Sequence, residues 1–81
     1  MNEIEATKTG IASQLRAATD GPNTAIVLAA IEGLGELGGT EAITHIEELM
    51  DTRAEVTTPD GLAIWAGLLR AYGRAGRFLP D

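Results

Sequence analysis

Apolar residues recur along this chain at three- and four-residue spacing and never in the strict alternation of a half-buried strand, so the pattern predicts helix throughout. A first helix, about residues 4–18, gathers Ile4, Ile11, Leu15 and Ala18 into one narrow stripe that Lys8 can follow with its stem, and Asp20-Gly21-Pro22 ends it. The second, about 23–38, starts at the capping residue Asn23 and stops at Gly38-Gly39. Its apolar residues Ile26, Val27, Leu28, Ala30, Ile31, Leu34 and Leu37 spread over an arc of roughly 200°, which marks it as the central helix. Ala29, Ala30, Gly33 and Gly35 would let neighbouring backbones come close. A third helix, about 41–52 and capped by Thr40, buries Ala42, Ile43, Ile46, Leu49 and Met50. After Val56-Thr57-Thr58, Pro59 opens a fourth, about 59–75, with Leu62, Trp65, Leu68, Leu69 and Tyr72 on its inner face and Arg70, Arg74 and Arg77 opposite.

Charge adds an asymmetry to this picture. The net charge is −6, but residues 20–60 hold nine acids against Arg53 alone, a local −8, whereas Arg70, Arg74 and Arg77 make the last helix basic. Nucleic-acid binding needs a broad positive surface, which this pattern does not supply, so direct contact with nucleic acid is not expected. No apolar run approaches the ~18 residues of a membrane span, the acidic start Met1-Asn2-Glu3-Ile4-Glu5 is unlike a secretory leader, and there is no cysteine. These features point to a cytoplasmic protein with no membrane association. A single domain over residues 1–81 buries only about 60 to 65% of the surface of its unfolded chain, so help from a partner or a second copy is expected.

At an offset of 38 residues, Gly33-Leu34-Gly35-Glu36-Leu37-Gly38 aligns with Ala71-Tyr72-Gly73-Arg74-Ala75-Gly76, both of the form small-bulky-Gly-x-x-Gly. A spacing of this kind marks arrays of helical hairpins. Leu28 to Gly38, followed by Thr40-Glu41-Ala42-Ile43, resembles one HEAT-type repeat of bacterial and archaeal α-solenoids over residues 24–52, with the fourth helix resembling the opening helix of a following unit. That helix is also similar to a tetratricopeptide opening helix through Trp65, Leu68, Tyr72 and Gly76. Either resemblance implies stacked antiparallel helices and protein binding, without naming a partner.

Candidate chemistry is sparse. Gly33-x-Gly35-x-x-Gly38 matches the dinucleotide fingerprint as a string, but the glycines close a helix instead of joining a strand to one, so packing and capping is the stronger reading. Glu41, His45 and Glu48 share one side of the third helix at i, i+4 and i+7, a set able to hold a divalent metal, against the alternative of a histidine bordering an acidic, solvated face. Ser13 and His45 are the only serine and histidine, and nothing pairs them for nucleophilic catalysis. Trp65 and Tyr72 read as a core stripe. The three arginines read as an anion site, a solvated face, or partners of the acids on the third helix.

The sequence therefore predicts an all-α fold of four helices in two antiparallel hairpins, as a short HEAT-like array or compact bundle, without catalysis or cofactor. The expected function is protein–protein interaction through an acidic helix face of Glu41, Glu47, Glu48 and Asp51 with Glu32 and Glu36 from the neighbouring helix, and Arg70, Arg74 and Arg77 as a secondary patch. The alternative is a small acidic inhibitor that imitates nucleic acid on a nuclease, polymerase or phage-defence complex, in the manner of anti-CRISPR proteins. A small metal- or nucleotide-binding protein comes third. A homodimer hiding part of the first or fourth helix is expected, because two hairpins leave apolar ends uncovered.

Overall fold

Local sequence accounts for most of the helix boundaries. The computed structural model describes residues 3–53 and 56–77, with side chains from Thr7 onward. Four helices fill it: α1 (Glu3–Ala18), α2 (Thr24–Leu37), α3 (Gly39–Thr52) and α4 (Pro59–Gly76). The Asn23 side chain accepts a hydrogen bond from the Ile26 amide at 3.1 Å and fixes the start of α2. Thr58 does the same for the Gly61 amide at 2.9 Å, with Pro59 as the first residue of α4.

The junction of α2 and α3 departs from expectation. Thr40 does not cap α3, which begins one residue earlier at Gly39 and has Gly38 as its cap without a side-chain hydrogen bond. The link is a single residue long, and the chain reverses on two glycines with φ of 68° and 87°, a region that a side chain would strain. The Gly38 amide returns to the Leu34 carbonyl at 3.1 Å and closes α2.

The helices stand at the corners of a parallelogram. α2 packs most extensively on α4, α1 on α2, α3 on α4 and, over a shorter length, α1 on α3; α2 and α3 also approach each other beside their short link, while among the described residues α1 and α4 do not come together. Ile31, Leu34, Ile46, Leu68 and Val27 are the largest fully buried apolar side chains, and Ala12, Ala30, Ala42, Ala71 and Ala75 fill the space between them. The buried arc of α2 includes Val27, Ala30, Ile31, Leu34 and Gly35, so this helix is central as its wide apolar arc predicted, although Ile26 in its first turn is 56% exposed. On α3, Ala42, Ile46 and Leu49 are buried and Ile43 and Met50 pack against them, as expected.

Two helices are rotated from the faces expected of them. On α1, Ala12 is buried and Ile11 is 45% exposed, while Leu15 of the expected stripe still packs against the core, so the inner face is turned by part of the ~100° step between neighbouring residues. Leu15 fills the space over Gly33, and Arg16, one residue further round, reaches α3. Lys8 is exposed, and the Ile4 side chain lies outside the described residues. On α4, Leu68 alone of the five expected core residues is buried; Gly61, Ile64, Ala71 and Ala75 complete the inner face. The cause is the close approach to α2: a methyl group added at Gly35 would lie 2.9 Å from the Ala71 Cα. At that separation only small residues fit, so Leu62, Leu69 and Tyr72 turn outward and Trp65 is left half-buried.

Candidate functional site

The six acids expected to form one surface are divided between two. Arg74, which pairs with Glu36, and Tyr72, which bonds Glu47, lie on nearly opposite sides of α4, so the exposed acids of α2 and α3 stand on different sides of that helix. On the α2 side, Glu36 is ion-paired with Arg74 of α4. Glu32 borders a shallow groove of about 200 Å³ with Arg70 and Arg74, floored by Leu28, Ile31, Gly67 and Ala71. The arginines of α4 thus face the acids of α2, and neither Arg70 nor Arg74 reaches those of α3. A groove of this size is smaller than the ~300 Å³ of an ordinary ligand pocket.

On the other side, the acids of α3 are partly engaged within the molecule. The Arg16 guanidinium of α1 donates to Glu48 Oε1 at 2.7 Å and lies 3.3 Å from His45 Nδ1. Glu41 Oε2 is 4.0 Å from His45 Nε2, and Glu48 Oε1 is 3.7 Å from His45 Nδ1. Glu41, His45 and Glu48 do converge, as the helical spacing required, but the position between the imidazole and Glu48 is already taken by a cation, the guanidinium. Among the described residues, no three histidines and carboxylates are placed to hold a metal ion. Arg16 was invisible to sequence reasoning, because 32 residues separate it from Glu48 and no local pattern links them.

Glu47 and Asp51 lie on the flank of α3 next to α4. The Tyr72 hydroxyl donates to Glu47 Oε2 at 2.9 Å. That hydrogen bond, and the carboxylate charge behind it, hold the Tyr72 phenol above its ordinary value of 10.0. Asp51 stands one turn further along the same flank, with its side chain exposed. Glu55 lies outside the described residues.

Among the described residues, the third side of α4 has no neighbour. Leu62, Leu69 and Tyr72 are 51%, 47% and 39% exposed, and with half-buried Trp65 they occupy an arc of about 80°. Half-buried Ile43 and Met50 belong to the same side of α3 as Glu47. One edge of this apolar strip is anionic, with Glu47 and Asp51 on α3; the other is cationic, with Arg70 and Arg77 exposed on α4. Single exposed leucines are ordinary, but a row of them with an aromatic residue along one helix marks a contact surface.

The remaining motifs have structural employment. Gly33 lies under Leu15, Gly35 under Ala71, and Gly38 forms the turn between α2 and α3. Ser13 is exposed on α1, while His45 is half-buried and held by Arg16. No helix among the described residues is long and apolar enough to cross a membrane. Comparison with protein-family models, with characterised proteins and with solved structures found no match.

Proposed function

We propose that this chain is a non-catalytic protein-binding module whose contact surface is the outer side of the α3–α4 hairpin. The observation that carries the reading is the strip of exposed Leu62, Leu69 and Tyr72 with half-buried Trp65, the one helix on which several large apolar side chains stand exposed together among the described residues. Apolar area of this kind supplies affinity when a partner removes it from water, at roughly 25 cal/mol per Å² before the costs of association. Glu47 and Asp51 border the strip and supply orientation and selectivity rather than bulk affinity. The acids are thus retained as part of the surface, with the apolar strip as its centre.

A second reading, an acidic decoy for a nucleic-acid-binding protein, is favoured by the outward placement of Glu41, Glu47, Glu48 and Asp51 on α3. It ranks lower because Arg16 neutralises Glu48 and Tyr72 occupies Glu47. Immobilised wild type, Leu69→Glu and the triple variant Glu47→Lys/Glu48→Lys/Asp51→Lys, each checked for helical content, separate the two in capture from cell lysate. The module reading requires that Leu69→Glu loses what the wild type retains. Capture that survives Leu69→Glu, but disappears with the triple reversal and with added salt, supports the decoy instead.

A further inference from the structure

We propose that the strip on α4 is the interface of a two-fold homodimer in which the α4 helices of the two copies lie side by side and run in the same direction. The inference rests on the reading of that strip as a protein contact and commits it to one occupant, a second copy of this chain.

The argument is one of symmetry and charge. A two-fold axis relating two identical patches must lie in the plane of their contact. If the axis runs along α4, the rotation exchanges the lateral edges of the strip and leaves the level along the helix unchanged. The cationic edge of one copy, at Arg70, then meets the anionic edge of the other, at Glu47 and Asp51. The levels agree for this residue: Glu47 is tied to Tyr72, and Arg70 lies two residues before Tyr72, about 3 Å along the axis towards Asp51, while Arg77 lies about 7.5 Å the other way and only extends the cationic edge. An axis across α4 would instead set arginines against arginines and acids against acids. A foreign partner would have to bring both charges in the right order, whereas a second copy brings them by construction.

Size sets the strength. α4 has 18 residues and is therefore about 27 Å long, and with the flank of α3 the contact is about 20 Å wide, or roughly 540 Å² per copy. A stable complex ordinarily buries ~800 Å² on each partner, so a reversible dimer in the micromolar range is expected.

A two-fold axis along α4 brings each residue of the strip's midline opposite itself, and the chain has no cysteine of its own to interfere. Leu69→Cys and Gly76→Cys, made singly at exposed positions on or next to that midline, are expected to form disulfide-linked dimers under mild oxidation at tens of micromolar, the working range for a contact of this size. Ser13→Cys, exposed on α1, is expected to remain monomeric. Cross-linking at Leu69 without cross-linking at Gly76 would overturn the parallel arrangement, because an antiparallel pair matches only the middle of the strip with itself.

Sedimentation equilibrium supplies the second test. Arg70→Glu is expected to raise the dimer dissociation constant about tenfold, since each substitution acts twice in a symmetric interface, and adding Glu47→Lys should restore most of the loss. A wild-type chain that stays monomeric to several hundred micromolar, well above the expected range, refutes the dimer. If lysate capture still depends on Leu69 in that case, the strip belongs to another protein and the module reading stands. If neither self-association nor capture responds to Leu69, both readings fall.

Discussion

Replacing Gly35 by alanine tests the close contact that organises the molecule. In a helix interior alanine is favoured over glycine by about 0.8–1.0 kcal/mol, so propensity alone predicts a more stable protein. At Gly35 the new methyl would lie 2.9 Å from the Ala71 Cα, 3.0 Å from its Cβ and 3.2 Å from its carbonyl oxygen. Carbon atoms settle at about 3.5–4.0 Å, so α2 and α4 must part by roughly 0.5–1 Å along their most extensive seam. Two of the opposing atoms are backbone and cannot rotate away, and overpacking of this kind costs about 1–3 kcal/mol. Set against the propensity gain, the expected net effect is a loss of about 0–2 kcal/mol, a fall in Tm of up to roughly 15 °C for a domain of this size, where propensity alone predicts a rise. Gly10→Ala is the control, since nothing lies within 4 Å of the added methyl and the full propensity gain should appear. Gly33→Ala should fall between them, because its 3.0 Å neighbour is the Cδ2 end of the flexible Leu15 side chain. Thermal and urea melts followed by circular dichroism, at one fixed protein concentration so that self-association does not distort the comparison, give the order directly. A Gly35→Ala protein as stable as Gly10→Ala would refute the α2–α4 packing and, with it, the outward rotation of the α4 leucines.

Other consequences are open to measurement. Asn23→Ala and Thr58→Ala each remove a side-chain cap and should cost about 1 kcal/mol in urea melts, whereas Thr40→Ala, which removes no cap, should change stability by less than about 0.5 kcal/mol. Tyr72 is the only tyrosine, so its ionisation can be followed by ultraviolet absorbance; it should titrate above 10.0, and Glu47→Gln should bring it back down. Because the folded value is raised, the hydrogen bond's contribution to stability is fully present below about pH 10 and is lost as pH rises through the folded value. Glu48→Gln should cost no more than about 1 kcal/mol, since its partner Arg16 keeps only a partly exposed pair, and a larger loss would mean that the α1–α3 contact depends on that charge.

The four helices were legible because their punctuation is local. Asn23, Pro59 and the Gly38-Gly39 pair act within a few residues of where they stand, and the apolar arcs of α2 and α3 are flanked by acids that leave one choice of inner face. α4 offers no such choice from its own sequence. Apolar and small residues surround most of it, and two faces compete, one of leucines and aromatics and one of alanines with Ile64 and Leu68. Burial by bulk favours the first, but the separation between α2 and α4 decides for the second, and that separation is set by Gly35 in a different helix. The acidic surface was misjudged for a related reason. Helical spacing places Glu41, Glu47, Glu48 and Asp51 on one helix correctly, yet nothing in it reveals that Arg16 lies beside Glu48 or that Glu32 and Glu36 look the other way.

The missing contact between α1 and α4 also governs how the molecule opens. Among the described residues, α1 is held by α2 and α3, through buried Ala12, the Leu15 side chain over Gly33, the enclosed Thr19 and the Arg16 pair, while the largest fully buried apolar side chains all belong to the other three helices. Its detachment exposes little apolar area, so it requires less free energy than global unfolding. The amide protons of α1 accordingly exchange with solvent through partial openings, while those along the α2–α4 seam wait for the whole domain to unfold. The domain is thus expected to show two levels of protection, an early-opening α1 and a late-opening α2–α4 seam, with the open strip of α4 mounted on the helix that opens last.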